Sequence, residues 1–310
     1  MLEIDRQIIS AIRSCDTKEG LHVHLQNAVE LEHATIPPYL TAMYSLVPGA
    51  NEEIAAVLRD IVLEEMLHMN LSANVLIAIG GSPQINDPRF VPGYPGNLPM
   101  GIGKNLSVPI KAFSKDLVRD VFMKIEEPEH PIPVATLEAV LGPQYATIGE
   151  FYAAIKGKLR DLGDGAFVAG AGRQVLSWFG GDRVFPIVDV RSAERAIDII
   201  VVEGEGTRTD PFESPGRPAH YYRFGEIYHG RKIVKDGDGF AYAGEAIPFD
   251  EAGVYPMIDN PSATDFPPGS QAAMLSDWSF ALRPAGAAGS VAVGDAAAAA
   301  SQLPASSQTI

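Results

Sequence analysis

The stretch "LEEMLHMN", residues 63–70, places a carboxylate and an imidazole three positions apart inside an apolar run. On a helix, side chains at positions i and i+3 are neighbours. Glu65 and His68 share a stripe with Leu58 and Ile61, the kind of face that a core helix buries. A buried carboxylate without a partner is strongly destabilising. The spacing therefore predicts an interior partner for Glu65.

The segment before it has the same feature. Val29, Glu32 and Ile36 follow one another at steps of three and four, so Glu32 also lies on an apolar stripe. Residues 21–47 and 52–79 are predicted to form two antiparallel helices joined by a short loop. Such a pair brings Glu32 toward the acid and the imidazole of the second helix.

Individual residues predict where these two helices begin, end or bend. Pro37 and Pro38 lie inside the first one and are expected to kink or split it. Asn51 is predicted to cap the second helix, and "GGSP" at 80–83 to end it. Residues 84–112 are rich in Pro, Gly and Asn and predict a long irregular excursion, which we interpret as a lid or pocket wall.

The rest of the chain continues the helical pattern up to its last segment. Further helices are predicted from 114 to the residue before Pro128 and over 147–163, 192–206 and 220–230, and a small β-hairpin around "DGDG" at 236–239. Residues 281–310 are rich in Ala, Gly and Ser and predict a flexible tail. We therefore expect one domain over 1–280 that is mainly α, a helical bundle with long irregular insertions and a small hairpin.

The composition restricts the classes of molecule that the protein can bind. The 310 residues carry a formal net charge of −15, which disfavours binding to nucleic acid or to an anionic membrane. Cys15 is the only cysteine, so an intramolecular disulfide cannot form. The first residues lack the apolar centre of a signal peptide, and no apolar run reaches the length of a membrane span. We expect a cytoplasmic protein.

A cation would resolve the repulsion between the buried acids. Glu32 from one helix with Glu65-x-x-His68 from the next is half of the di-iron carboxylate arrangement of ferritin-like bundles. Arginines could pair with the acids instead, which would leave a scaffold without metal. The candidates for the second half are Glu150, Glu203 or Glu205, and His220. Glu150 equally completes a capping box with Thr147.

Long blocks of the sequence resemble a known family. "LQNAVELEHATIPPYLTAMYSL" at 25–46, "IVLEEMLHMNLSANVLIAIGGSP" at 61–83 and "FVPGYPGNLP" at 90–99 are similar to the ferritin-like domain of the iminophenyl-pyruvate dimer synthase type. That domain also forms the N-terminal part of chromopyrrolate synthases. Shorter blocks continue the likeness to about residue 280: "IEEPE", "TIGEFYAAI", "VVEGEGT" and "HYYRFGEIYHGR".

The resemblance implies a ferritin-like bundle with two iron ions at its centre. By position, it implies the metal ligands Glu32, Glu65, His68, Glu150, Glu205 and His220. Glu203 remains an alternative to Glu205, and manganese an alternative to iron because both accept the same ligand types. Arg223 and Tyr152 are candidates for orienting these ligands. The Ala/Gly/Ser tail replaces helices that the family usually has, so the synthase reaction is not transferred whole.

The function expected from this resemblance is that of a non-haem iron oxidoreductase in secondary metabolism. Its partners would be a small organic substrate, an amino-acid-derived imine by the resemblance alone, and O2 or peroxide. Catalytic residues beyond the ligands are not assigned, and a homo-oligomer is compatible with the sequence. The alternative is a ferritin-like protein that binds iron without catalytic turnover.

Overall fold

The computed structural model describes residues 4–128, 132, 134, 147–168, 173–177, 183–204, 210–212, 216–262 and 265. Its contacts divide the chain into Met1–Pro261 and Ser262–Ile310. The predicted tail, 281–310, lies outside the described residues.

Seven helices and one two-stranded sheet make up the regular structure of the described residues. The helices are α1 (Arg6–Arg13), α2 (Lys18–Tyr44), α3 (Glu52–Ala78), α4 (Lys115–Leu117, a π-helical turn at Val118–Phe122, and Met123–Ile125), α5 (Ile148–Leu162), α6 (Val190–Gly204) and α7 (His220–His229). The antiparallel strands are β1 (Val234–Asp236) and β2 (Gly239–Ala241), with Val234 opposite Ala241. The prediction of a mainly α protein with a small hairpin is confirmed.

The hairpin of α2 and α3 forms the centre of the core. Each helix has 27 residues, and their facing stripes bury Leu25, Ala28, Leu58 and Ile61 completely or almost so. α5 packs on α1 and α2, α6 packs on α3 and α5, and α4 packs on α7. The predicted helices over 147–163 and 192–206 thus cover the central pair.

The long helix α3 is buried on most sides. Among the described residues it alone is long and apolar enough to cross a membrane, but 67% of its most apolar window is buried inside the protein. A core helix of this length meets the same criteria as a membrane span. Burial on many sides also explains why polar residues of α3 contact several neighbouring helices.

The proline pair does not split α2. Pro38 has no N–H to donate to the carbonyl of Ala34, four residues earlier. The hydroxyl of Tyr94, in the irregular excursion, donates to that carbonyl instead, at 2.8 Å. The excursion thus supplies the donor that the proline removes, and α2 continues to Tyr44.

Asn51 stands at the N-terminus of α3 but does not cap it with its side chain. Its Nδ2 donates to the carbonyls of Asp250 and Gly253, both at 3.0 Å, and its Oδ1 accepts from the N–H of Asp250 at 2.8 Å. Asn51 thus occupies the predicted N-cap position, but its side chain bonds a distant loop with both its donor and its acceptor instead of capping the helix. Glu52 and Glu53 complement the helix dipole in the first turn.

Candidate metal centre

The helices α2 and α3 bring three of the predicted ligands together. Glu32, Glu65 and His68 are 6%, 2% and 1% exposed, and each offers a ligand atom within 4.8 Å of the others. Nδ1 of His68 lies 3.6 Å from Oε2 of Glu32. The apolar stripes of the two helices face each other, so the polar residues on those stripes meet in the interior.

A second group shares one member with the first. Glu65, Glu126 and His220 also offer ligand atoms within 4.8 Å of one another, and all three are buried. Glu126 directly follows α4, whose middle is the π-helical turn, and His220 is the first residue of α7. Because Glu65 belongs to both groups, the two form one buried centre with residues from α2, α3, the end of α4 and α7.

Three buried hydroxyl groups orient the three carboxylates. Thr35 Oγ1 donates to Glu65 at 2.8 Å, Tyr39 Oη donates to Glu126 at 2.6 Å, and Tyr152 Oη donates to Glu32. Burial and the nearby carboxylates, Glu126 first for Tyr39 and Glu32 first for Tyr152, raise the pKa of both tyrosines well above its usual value. Both tyrosines therefore stay protonated and act as donors.

The shared carboxylate resists ionisation. Burial and the charge of Glu126 raise the pKa of Glu65 to about 7, even though His220 acts in the opposite direction. At neutral pH without metal, Glu65 therefore exists in both protonation states. This is the behaviour of two carboxylates that share a site without a sufficient counter-charge.

The two histidines are held in their charged form. Burial lowers the pKa of His68, but hydrogen bonds to Glu203 and Glu32 outweigh it and raise the pKa to about 10. Burial likewise lowers the pKa of His220, and the carboxylates of Glu126, Glu64 and Glu65 outweigh it and raise the pKa well above its usual value. In the absence of metal, protons on the imidazoles supply the positive charge of the centre.

The donor set fits a metal ion. Nδ1 of His220 lies 2.7 Å from Oε1 of Glu65 and 3.6 Å from Oε2 of Glu126, yet it has no partner in hydrogen-bond geometry among the described residues. Once its proton has left, this nitrogen can join the neighbouring carboxylate oxygens as a ligand of one cation. Carboxylate oxygens with imidazole nitrogens suit divalent first-row metals, including iron and manganese.

Comparison with known proteins agrees with this geometry. The model of the ferritin-like family matches residues 25–229. The chain belongs to the ferritin-like family. A crystal structure of a ferritin-like protein from Caulobacter vibrioides is 25% identical, with a TM-score of 0.51, over 83% of this chain and 82% of that one. No curated protein matches the chain.

The structure describes one of the two remaining predicted ligands of this ferritin-like chain. Glu150 starts α5 and belongs to neither group. Its Oε2 accepts from the N–H of Thr147 at 3.2 Å, and Thr147 Oγ1 accepts from the N–H of Glu150 at 3.0 Å. The sequence left two roles open for Glu150, metal ligation and a capping box, and the structure shows the capping box. Glu205 lies outside the described residues.

Sequence reasoning missed two acids near the centre. Glu126 stands four residues after Phe122 on the apolar stripe of α4, so the argument that singled out Glu32 and Glu65 applies to it as well. Glu64 is also buried, but no spacing rule distinguishes it from an exposed neighbour of Glu65. Its burial follows from the packing around α3.

A pocket of about 460 Å³, including its opening to solvent, reaches the centre. Its lining includes Glu32, Glu65, His68 and Glu126. The other lining residues are mostly aliphatic: Leu31, Ile125, Ile148, Ile200 and Val201. The excursion over 84–112 contributes no described residue to this lining, so it does not form the wall of this pocket. It packs into the core instead, where Leu98, Ile102 and Val108 are buried.

Proposed function

We propose that this ferritin-like protein binds two divalent metal ions, with iron as the expected metal, and oxidises a small organic molecule with O2 or peroxide. One observation carries the proposal: two acid and histidine groups share Glu65 and open onto a pocket with an aliphatic wall. Glu32, Glu65 and His68 would hold one ion. Glu65, Glu126 and His220 would hold the other.

The chemistry divides between the metal and the chain. A pair of iron ions, when bound, supplies redox reactivity toward O2 or peroxide. The chain orients the carboxylates, because the hydroxyls of Thr35, Tyr39 and Tyr152 each donate a hydrogen bond to one carboxylate and limit its rotation. The aliphatic wall disfavours water and favours a substrate with an apolar body. The resemblance to the iminophenyl-pyruvate dimer synthase type supports an aromatic imine derived from an amino acid.

Two features argue for a catalyst over the alternatives. The aliphatic residues that line the pocket beside the clustered acids support binding of an organic substrate over storage of iron alone. Arg223 and Arg183 pair with Glu64 and Glu203, which belong to neither group, so these two arginines leave the clustered acids free to bind another cation.

Metal titration followed by oxygen uptake tests the proposal. The metal-free protein is titrated with Fe2+ without oxygen, and we expect two ions per chain. Exposure to O2 should then give oxygen consumption that rises several-fold when an aromatic imine is present. Uptake that ends after one oxidation of the iron, with or without imine, would indicate storage. Failure to bind iron or manganese would reject the proposal.

A further inference from the structure

Both histidines place Nε2 against a carboxylate that belongs to neither ligand group. Nε2 of His68 lies 3.1 Å from Oε2 of Glu203, and Nε2 of His220 lies 3.1 Å from Oε2 of Glu64. An ionised carboxylate only accepts hydrogen bonds, so each Nε2 must carry the proton. Nδ1 is then the nitrogen that each ring presents to the clustered carboxylates.

Arginines contact both of these carboxylates, Glu64 and Glu203, which we call the outer carboxylates. Arg223 NH1 donates to Oε2 of Glu64 at 2.5 Å, and its NH2 donates to the carbonyl of Val57 at 3.4 Å. Arg183 NH2 donates to Oε2 of Glu203, and its NH1 lies 3.8 Å from Oε1 of Glu64. Each carboxylate thus contacts one imidazole and at least one guanidinium, and Arg183 contacts both carboxylates.

We propose that Glu64 and Glu203 are positioning residues for the two histidines rather than metal ligands. Glu203 sets the ring orientation and tautomer of His68, Glu64 does the same for His220, and both rings bind metal through Nδ1. Arg183 couples the two arrangements. This inference rests on the proposed function, because it requires metal in the centre. Loss of such an outer carboxylate typically weakens metal binding by about 10–100-fold.

Nitrogen NMR of the Zn2+-loaded protein tests the tautomers without any substitution. We expect two histidine rings with metal on Nδ1 and a slowly exchanging proton on Nε2, assigned to His68 and His220 by single His→Ala variants. Metal bound through Nε2 of either ring would overturn the proposal. A wild-type chain that binds no Zn2+, Fe2+ or Mn2+ would instead refute the proposed function.

Metal stoichiometry of variants separates positioning from ligation. Glu203→Gln and Glu64→Gln keep a carbonyl oxygen that accepts from Nε2, so each should still bind two Zn2+ per chain with a small loss of affinity. Glu203→Leu should still bind two ions at high Zn2+, with affinity at one site reduced by about 10–100-fold. Loss of one ion from Glu203→Gln would make Glu203 a ligand, and unchanged affinity in Glu203→Leu would remove its role.

Arg183 and a matched arginine test the coupling. Arg183→Gln should weaken both Zn2+ sites, because Arg183 contacts Glu203 and Glu64. Arg160 pairs with Glu194 on the surface, away from the centre, so Arg160→Gln should leave both affinities unchanged. Equal affinities in the two variants would contradict the coupling.

Discussion

At the scale of single residues, the structure distinguishes acids that look alike in the sequence. Glu126 and Glu150 both lie at helix ends, yet only Glu126 joins a ligand group. Burial on the stripe of α4 directs the first toward His220. A capping box keeps the carboxylate of the second on the backbone of Thr147.

Substitution of these two acids gives opposite results. Glu126→Gln should reduce the metal content from two ions per chain to one, because the amide lacks the charge that offsets a divalent cation. Glu150→Gln should keep both ions and change the free energy of unfolding by less than about 0.5 kcal/mol, because glutamine also completes a capping box. Metal analysis and urea unfolding check both. One ion in Glu150→Gln would contradict the assignment.

Proton release on metal binding follows from the histidines and Glu65. At pH 7 without metal, both imidazoles are charged and Glu65 is protonated in about half of the molecules, since its pKa is about 7. Metal must displace these protons, so we expect about two to three protons released per two Zn2+ ions. Calorimetry in buffers of different ionisation enthalpy measures this number. A value near zero would contradict the charge state assigned to the centre.

The same groups set the pH dependence of the metal-free protein. The pKa of His68 rises from its usual 6.5 to about 10 on folding, so its stabilising contribution is complete below 6.5 and is lost as pH rises through 10. We expect the free energy of unfolding to decrease between pH 7 and 10 without metal, and to change less with Zn2+ bound. Urea unfolding across this range checks it, with His68→Ala as the variant that should lose part of the dependence, because His220, whose pKa is also raised, keeps its own contribution.

At the scale of helices, α2 depends on a contact from outside itself. Tyr94→Phe removes the donor to the carbonyl of Ala34 and leaves that carbonyl unpaired beside Pro38. We expect a loss of about 1–3 kcal/mol in the free energy of unfolding, with two metal ions still bound. Tyr44→Phe, on the same helix but 73% exposed, is the matched control and should change little. Equal stabilities of the two variants would show that the Tyr94 hydroxyl is dispensable.

At the scale of the whole molecule, the proposed metal centre joins helices that are far apart in the chain. Its groups come from α2, α3, the end of α4 and α7. Ions that bind only the folded protein should stabilise it by about 2.7 kcal/mol at 100 times the dissociation constant. Unfolding with Zn2+ and with a chelator measures the difference, and Glu65→Ala should abolish most of it. Equal stability with and without metal would contradict a site shared by four segments.

The sequence by itself determined most of the helices, though not α1, and part of the centre. The spacing of apolar residues along α2 and α3 is local, and a helix converts it directly into a buried face. Glu32, Glu65 and His68 could be recognised because each interrupts such a face. The hairpin at 236–239 was equally local, since turn residues and two short strands suffice to specify it.

Only the tertiary structure decided which distant groups meet. The helix α4 brings Glu126 to Glu65, the excursion brings Tyr94 to α2, and Arg223 with Arg183 holds the outer acids. These contacts depend on how helices pack against one another, which residue spacing within one helix does not encode. An acid on a buried face needs a partner for physical reasons, but the identity of that partner is set by the fold.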